Sequence, residues 1–269
     1  MTSPTNTGSL NSYLQLIGVR SLPKRTSPFD PGYDPATTES HLEQSAHLMS
    51  VLKISMACWQ IAGEAATRKK IAAANRLGVK TCAGGGPFEV AATFGVVEKY
   101  LELCKDVGLT RFEAGQGFTH TNLKPAEICR LGEKIGLEVQ YEIGEKHTGP
   151  MTPAQLKELI EEGKEWLGAG AVELVVEARE SAQDVGLFDS TGKFNAAGAD
   201  ELVEALGMSK LMFEAPNKRS QFALLDHFGP EVGLCNIRLE ELLRVEIYRR
   251  GLHSDAFRRD NLRPLGPKK

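Results

Sequence analysis

From residue 39 onward, short apolar runs alternate with longer amphipathic stretches whose apolar positions recur every three or four residues. The short runs read as buried strands and the longer stretches as helices. Strands are expected at 50–55, 79–82, 109–113, 137–142, 171–177, 211–214 and 232–236. Helices are expected at 39–49, 62–77, 89–107, 124–135, 153–169, 199–206, 220–228 and 239–250, and most of them stop at a glycine. Repeated strand–helix units predict an α/β fold on a parallel sheet. Seven strands are clear, and an eighth, irregular one lies near 26–29. Eight would close a barrel; fewer would leave an open, doubly wound sheet. No GxGxxG motif joins a strand to a helix, which argues against a Rossmann fold. The turn Gly84-Gly85-Gly86-Pro87 lacks the GK[ST] of a phosphate loop.

The chain ends fall outside this pattern. Residues 1–12 are rich in Ser, Thr, Asn and Gly and read as a loose arm, followed by a short element at 13–19. Residues 25–38 read as a turn-rich loop. The expected organisation is a flexible arm over 1–20, one barrel domain over 21–257 and a basic tail over 258–269.

Composition narrows the function classes. The formal net charge is −3 over 269 residues, so no global field draws the chain to nucleic acid or an anionic membrane. No apolar run approaches the ~20 residues of a membrane helix, and no signal-peptide pattern opens the chain. The five cysteines form no CxxC pair and read as buried, reduced thiols of a cytoplasmic protein. The oligomeric state is left open, a homo-oligomer included.

Polar residues within the apolar runs carry the chemistry. Glu113, Glu142, Glu177 and Glu214 each stand at the end of a strand candidate, where an ionised carboxylate resists leaving water. Any one of them could cap the next helix or form half of an ion pair. Four at equivalent places suggest one shared polar chamber. In a barrel the chamber is the mouth at the C-terminal strand ends. Lys53 lies inside its own apolar run and needs a partner or a shifted pKa. Lys146, Arg179, Glu180, Lys218 and Asn236 follow strand ends and would join the rim, with His147 and His253 in nearby loops. Such carboxylates can hold a hard divalent cation such as Mg²⁺, and the lysines and arginine can grip an anion. No HxH or HExxH occurs, which disfavours catalytic zinc. A phosphate could sit at Asn236-Ile237-Arg238 or Asn217-Lys218, before a helix. Arg249 and Arg250 either belong to an anion site or offset the dipole of the last helix.

These residues carry a family resemblance. Glu177-Ala178-Arg179-Glu180-Ser181, Phe213-Glu214-Ala215-Pro216-Asn217-Lys218, Phe228-Gly229-Pro230, Asn236-Ile237 and Arg249-Arg250-Gly251-Leu252 with Asp255 resemble phosphosulfolactate synthases. Weaker matches are Thr26 with Asp30 and Gly32, Lys53, Gly84-Gly85 with Phe88-Glu89, Glu113 with Gly117, and Glu142-Ile143-Gly144 with Lys146. They run in order over about residues 25–257. The resemblance implies a (β/α)8 TIM barrel, in which 26–29 becomes the first strand, and a Mg²⁺ requirement. It implies a carbon–sulfur lyase-type enzyme that adds sulfite to phosphoenolpyruvate at an early step of coenzyme M synthesis. On that reading Glu142, Glu177, Glu214 and Glu113 are the metal candidates. Lys146, then Lys53, is the proton donor. Arg179, Lys218, Asn236, Arg250 and Glu180 contact substrate.

The chain also departs from the family pattern. A KFGWG stretch is Lys53-Ile54-Ser55-Met56-Ala57 here, SDG is Gly115-Gln116-Gly117, and a double lysine is Glu145-Lys146. An RRGLRGD stretch is interrupted by His253-Ser254 before Asp255. An acid and two cations are thereby lost. The departures leave two alternatives open: a diverged barrel that adds another nucleophile to an enolpyruvyl phosphate, and a non-catalytic, stress-related relative.

Overall fold

A computed structural model describes residues 9–119 and 121–266. Its sheet is a closed barrel of eight parallel strands in sequence order. They are β1 (Thr26–Asp30), β2 (Val51–Ile54), β3 (Lys80–Ala83), β4 (Arg111–Gly115), β5 (Glu138–Ile143), β6 (Glu173–Val176), β7 (Leu211–Glu214) and β8 (Leu234–Arg238). The helices around it are α2 (Pro35–Ser45), α3 (Cys58–Ile61), α4 (Glu64–Arg76), α5 (Gly85–Thr93), α6 (Val97–Asp106), α7 (Pro125–Ile135), α8 (Pro153–Ala169), α9 (Ala196–Leu206), α10 (Lys218–Phe228) and α11 (Leu242–Arg249). The (β/α)8 expectation holds, and the irregular eighth strand is β1, which pairs with both β2 and β8.

Three local expectations change. The helix predicted over 89–107 is two, α5 and α6, broken at Phe94-Gly95, where Gly95 takes φ +67°. A side chain there would resist the left-handed conformation. The expected turn at Gly84-Gly85-Gly86-Pro87 is instead the N-cap and first turn of α5, and Pro87 is tolerated there because first-turn amides lack intrahelical partners. Within the expected N-terminal arm, Ser9–Leu16 form a helix, α1, and Leu265 N–H donates to Gly18 C=O at 3.1 Å, tying it to the tail. Residues 1–8 of the arm and 267–269 of the tail lie outside the described residues.

Strand alternation explains where the core sits. Leu52, Ile54, Phe112, Val139, Tyr141, Leu174, Val176 and Phe213 are buried in one apolar core with helix residues such as Leu101, Trp166, Leu202 and Leu224. Tyr141 stacks on Trp166 of α8, ring centroids 3.9 Å apart. The alternate positions point into the barrel, and many are polar: Lys53, Arg111, Glu113, Gln140 and Glu142. A small apolar patch, Val175, Met212 and Cys235, is separate from the main core. The barrel interior is therefore built from matched charges. Arg111 bonds Glu138 at 2.8 Å and Gln140 at 3.2 Å, and also pairs with Glu173. No helix among the described residues is long and apolar enough to cross a membrane.

Closure between β8 and β1 rests on a buried arginine. Arg249, 1% exposed, donates to Pro230 and Val232 C=O at 2.7 Å, to Thr26 Oγ1 at 2.9 Å and to Glu246 at 3.1 Å. Glu246 also accepts from Thr26 and Arg250. Removing one partner of such a network leaves buried polar groups unpaired, at a cost of about 3–5 kcal/mol. Arg249→Ala is expected to lower the unfolding free energy from urea titration by that order. An exposed cation, Lys157→Ala, is expected to stay within about 0.5 kcal/mol of the parent.

Candidate functional site

The barrel mouth collects its charges because β4 to β7 each deliver a carboxylate at or near the C-terminal end. They lie at different depths. Glu113 is two residues below the end of β4, Glu142 one below the end of β5, Glu214 closes β7, and Glu177 follows β6. All four are at most 4% exposed.

Lys53 organises the deeper layer. Its Nζ lies 2.7 Å from Glu113, 3.8 Å from Glu214 and 3.3 Å from Asn236 Oδ1. The same Glu113 oxygen accepts from Gly85 N–H at 2.9 Å, and the other oxygen accepts from Gln140 Nε2 at 2.7 Å. A Cβ at residue 85 would lie 3.2 Å from the Glu113 oxygen, so glycine there leaves this approach uncrowded. Burial would lower the Lys53 pKa, but Glu113, Glu214 and Glu142 outweigh it and hold the ammonium charged.

The upper layer is Glu142, Glu177, Glu214 and Lys146. One oxygen from each glutamate lies within 4.8 Å of the others. Lys146 Nζ donates to Glu142 at 2.5 Å and to Glu177. Glu214 accepts from Ala178 N–H at 2.9 Å and from Asn236 Nδ2. Burial would raise the Glu142 pKa, but Lys146 and Lys53 overcome it and keep the group ionised. Burial, then Glu142 and Glu214, push Glu177 up to about 10, with Lys146 pulling the other way. Burial also raises Glu214, against the pull of Lys53. Three carboxylates in the set face one ammonium, so it is short of positive charge, and Glu177 keeps a proton. Three clustered carboxylate oxygens and a charge deficit fit a hard divalent cation, which favours oxygen donors.

Backbone irregularities aim the rim. Asn236 takes φ +55° at a bulge where β1 pairing steps from Cys235 to Ile237, which turns its side chain toward Lys53 and Glu214. Arg179, φ +56°, begins a loop with Ala182 and Asp184 also left-handed. Strain of this kind persists only where surrounding contacts hold it, and it concentrates at functional sites. The Arg179 N–H donates to Glu177, and its guanidinium donates to Lys146 C=O at 3.2 Å. Arg179 and Glu180 are exposed at the rim of a cavity of about 760 Å³ whose floor includes Lys53, Glu113, Glu142, Lys146, Glu177, Glu214 and Asn236.

Other expected positions lie elsewhere. Lys218 is exposed at the start of α10, its Nζ 5.1 Å from the Phe222 ring. Asn217 caps that helix, and its Nδ2 donates to Ser181 C=O at 2.7 Å. Arg250 lines a small cleft with Arg20 and Pro230 at the opposite end of the barrel, because the C-termini of the helices return there. His253 packs against Phe222 and Tyr248 rather than at the mouth. Gln116 and Glu145 line a separate acidic groove beside α8, with Glu158 and Glu162.

Two supporting residues are hard to see in sequence. Gln140 is detectable only as a polar residue on the inward face of β5. Glu89 is fully buried on α5, and one oxygen accepts from Phe118 N–H, Thr119 N–H and Thr119 Oγ1, each at 3.0 Å. That pins the loop whose Gly117 C=O accepts from Lys146 N–H at 3.0 Å.

The profile of the family described as (2R)-phospho-3-sulfolactate synthase (ComA) matches residues 24–255. The phosphosulfolactate synthase of Methanocaldococcus jannaschii is 29% identical over 233 residues, 86% of this chain and 93% of that protein. The Bacillus subtilis phosphosulfolactate synthase is 30% identical over 177 residues, 65% of this chain and 69% of that protein. Among solved structures, deoxyribose phosphate aldolase from Aeropyrum pernix aligns with a TM-score of 0.55 at 16% identity, over 89% of this chain and 96% of its own. KGPDC from Streptococcus mutans aligns with a TM-score of 0.54 at 12% identity, over 86% and 99% respectively. These two share the fold alone.

The Glu177 carboxyl sets a pH dependence. Its folded pKa, about 10, lies above an unfolded value of about 4.3. The folded state holds the extra proton between these values. The stabilisation is complete below the lower value and is lost as pH rises through the upper one. Protein stripped of divalent cations is therefore expected to lose unfolding free energy from about pH 5 to 10, by at most about 1.4 kcal/mol per pH unit. Glu177→Gln is expected to flatten that slope in denaturant titrations across the range.

Proposed function

The chain belongs to the (2R)-phospho-3-sulfolactate synthase family, and from that premise we propose that it adds sulfite to phosphoenolpyruvate to give 2-phospho-3-sulfolactate. The observation that carries this reading is the Lys146 ammonium lying between Glu142 and Glu177, with Glu214 alongside. A carbanion-forming addition needs a proton donor beside a region that can neutralise a growing negative charge.

The sulfur lone pair of sulfite forms the new bond to the methylene carbon. The π electrons of the double bond move onto the adjacent carbon and its carboxylate. That carbon then takes a proton from Lys146 Nζ, so the C–S and C–H bonds form as the π bond is lost. Glu142, Glu177 and Glu214 would hold Mg²⁺, which supplies positive charge opposite the developing enediolate.

The two lysines differ in surroundings. Lys53 is enclosed by Glu113, Glu214 and Asn236 and 6% exposed. It acts as a fixed positive charge facing Glu113 and Glu214. The Lys146 side chain is 24% exposed and opens to the cavity, so it is the proton donor. Glu113, with every oxygen engaged by the frame, serves that frame rather than a metal. Arg179 at the rim would bind phosphate or sulfonate, where a guanidinium can make two parallel hydrogen bonds. Asn236 and Glu180 would orient substrate from β8 and from the β6 loop.

The test is a direct assay. Purified protein, Mg²⁺, phosphoenolpyruvate and sulfite are expected to yield the sulfonate adduct by mass spectrometry. Lys146→Ala is expected to lower kcat about 10²–10⁴-fold, the range of a lost general acid. Arg179→Ala is expected to act mainly by raising KM. No adduct with any divalent cation would overturn the sulfite assignment.

A further inference from the structure

The mouth has a second wall that sulfite and phosphoenolpyruvate do not use. Its floor is charged, but one side is apolar, built by Met56 after β2, Pro87 and Val90 on α5, and Phe118 after β4. Met56, Val90 and Phe118 are 51%, 48% and 45% exposed, whereas the apolar side chains of the barrel are buried. Three apolar side chains, two from loops and one from a helix, therefore line one cavity while standing about half exposed. Met56 is held at φ +50°, a costly conformation for an unbranched L-residue. Phe118 is held by the Glu89 bonds to its own N–H and to Thr119, and its ring edge stands 3.8 Å from a Cβ built on Gly86. The backbone at Phe118 is thus held by Glu89.

Size and charge point the same way. The cavity, about 760 Å³, is in the range that encloses drug-sized ligands, roughly 300–1,000 Å³. The two family reactants are small and strongly anionic and carry no bulky apolar group to match that side. Around the cavity three cations face five carboxylates, so a second reactant with less negative charge is favoured.

Resting on the addition reaction above, we propose a further activity: this site adds organic sulfinates, R–SO₂⁻, to phosphoenolpyruvate, with R seated on Met56, Val90 and Phe118. A sulfinate keeps the sulfur lone pair that attacks in sulfite, carries one charge fewer and replaces one oxygen by carbon. The lone pair forms the S–C bond to the methylene carbon. The π electrons pass to the neighbouring carbon, which takes a proton from Lys146, and the product is a sulfone. Oxygen count and oxidation balance are preserved with no added oxidant or reductant, and the lysine regains its proton from solvent.

The experiment gives full-length protein Mg²⁺ and phosphoenolpyruvate with sulfite, methanesulfinate or benzenesulfinate, and follows adducts by mass spectrometry. Benzenesulfinate is expected to form a sulfone with kcat/KM at least about tenfold above methanesulfinate. Phe118→Ala and Val90→Ser are each expected to lower the ratio of benzenesulfinate to sulfite kcat/KM about tenfold, a readout that general damage to the fold does not move. Sulfone formation without turnover of sulfite would support the proposal and replace sulfite as the reactant. Sulfite turnover without a sulfone, or equal rates for the two sulfinates, would overturn the proposal and leave the sulfite reading standing. No adduct from any of the three would overturn both.

Discussion

The arrangement of the mouth depends on one constraint: a carboxylate inside a barrel must be met by a positive charge, a hydrogen-bond donor or a proton. Lys53 meets it for the deeper layer through Glu113 and Glu214. Lys146 meets it for the upper layer through Glu142 and Glu177. The two ammonium groups cannot satisfy four glutamates, and the deficit falls on Glu177. A site left short of positive charge, with three carboxylate oxygens close together, suits a hard cation. The same pairing rule organises the opposite end, where Arg111 and Arg249 are buried among carboxylates and carbonyls.

Stability and chemistry are therefore coupled through the strand pattern. Outward positions on β4 and β5, such as Phe112 and Tyr141, pack beneath helices, and the intervening Glu113, Gln140 and Glu142 must face inward. A one-residue slip in either strand would exchange these faces. Loop geometry then sets the fine positions. Glu89 holds the loop after β4, that loop holds the Lys146 backbone, and Gly117 leaves room for the lysine, since a Cβ there would lie 3.0 Å from Lys146 Cε.

Much of this is legible in the chain. The strand–helix alternation and the four strand-end glutamates follow from period and polarity alone, but that pattern fits a barrel or an open sheet, and closure rests on the irregular strand β1. Boundaries are less legible where glycines cluster, since Gly85 and Gly86 begin a helix that their composition reads as a turn. Depth is not legible either. Glu113 and Glu142 look alike in sequence, and only the register shows that one lies beside Lys53 and the other beside Lys146. Lys218 and Arg250 sit in motif-like segments, yet helix direction sends Arg250 to the far end of the barrel, and the Lys218 ammonium lies over the Phe222 ring of its own helix. The bulge at Asn236 and the φ of Arg179 and Met56 carry no plain sequence signal, because none of the three is a glycine.

The central claim is that Glu142, Glu177 and Glu214 act as one cation site facing a phosphorylated enol. A crystal of the protein soaked with Mn²⁺ and phosphoenolpyruvate, measured at the manganese edge, tests it most directly. The account predicts one anomalous peak within coordination distance of all three carboxylates, with the ligand's carboxylate beside it and Lys146 displaced from Glu177 toward the enol carbon. Phosphoenolpyruvate bound at the mouth without a peak there, or a peak held by other residues, would contradict it.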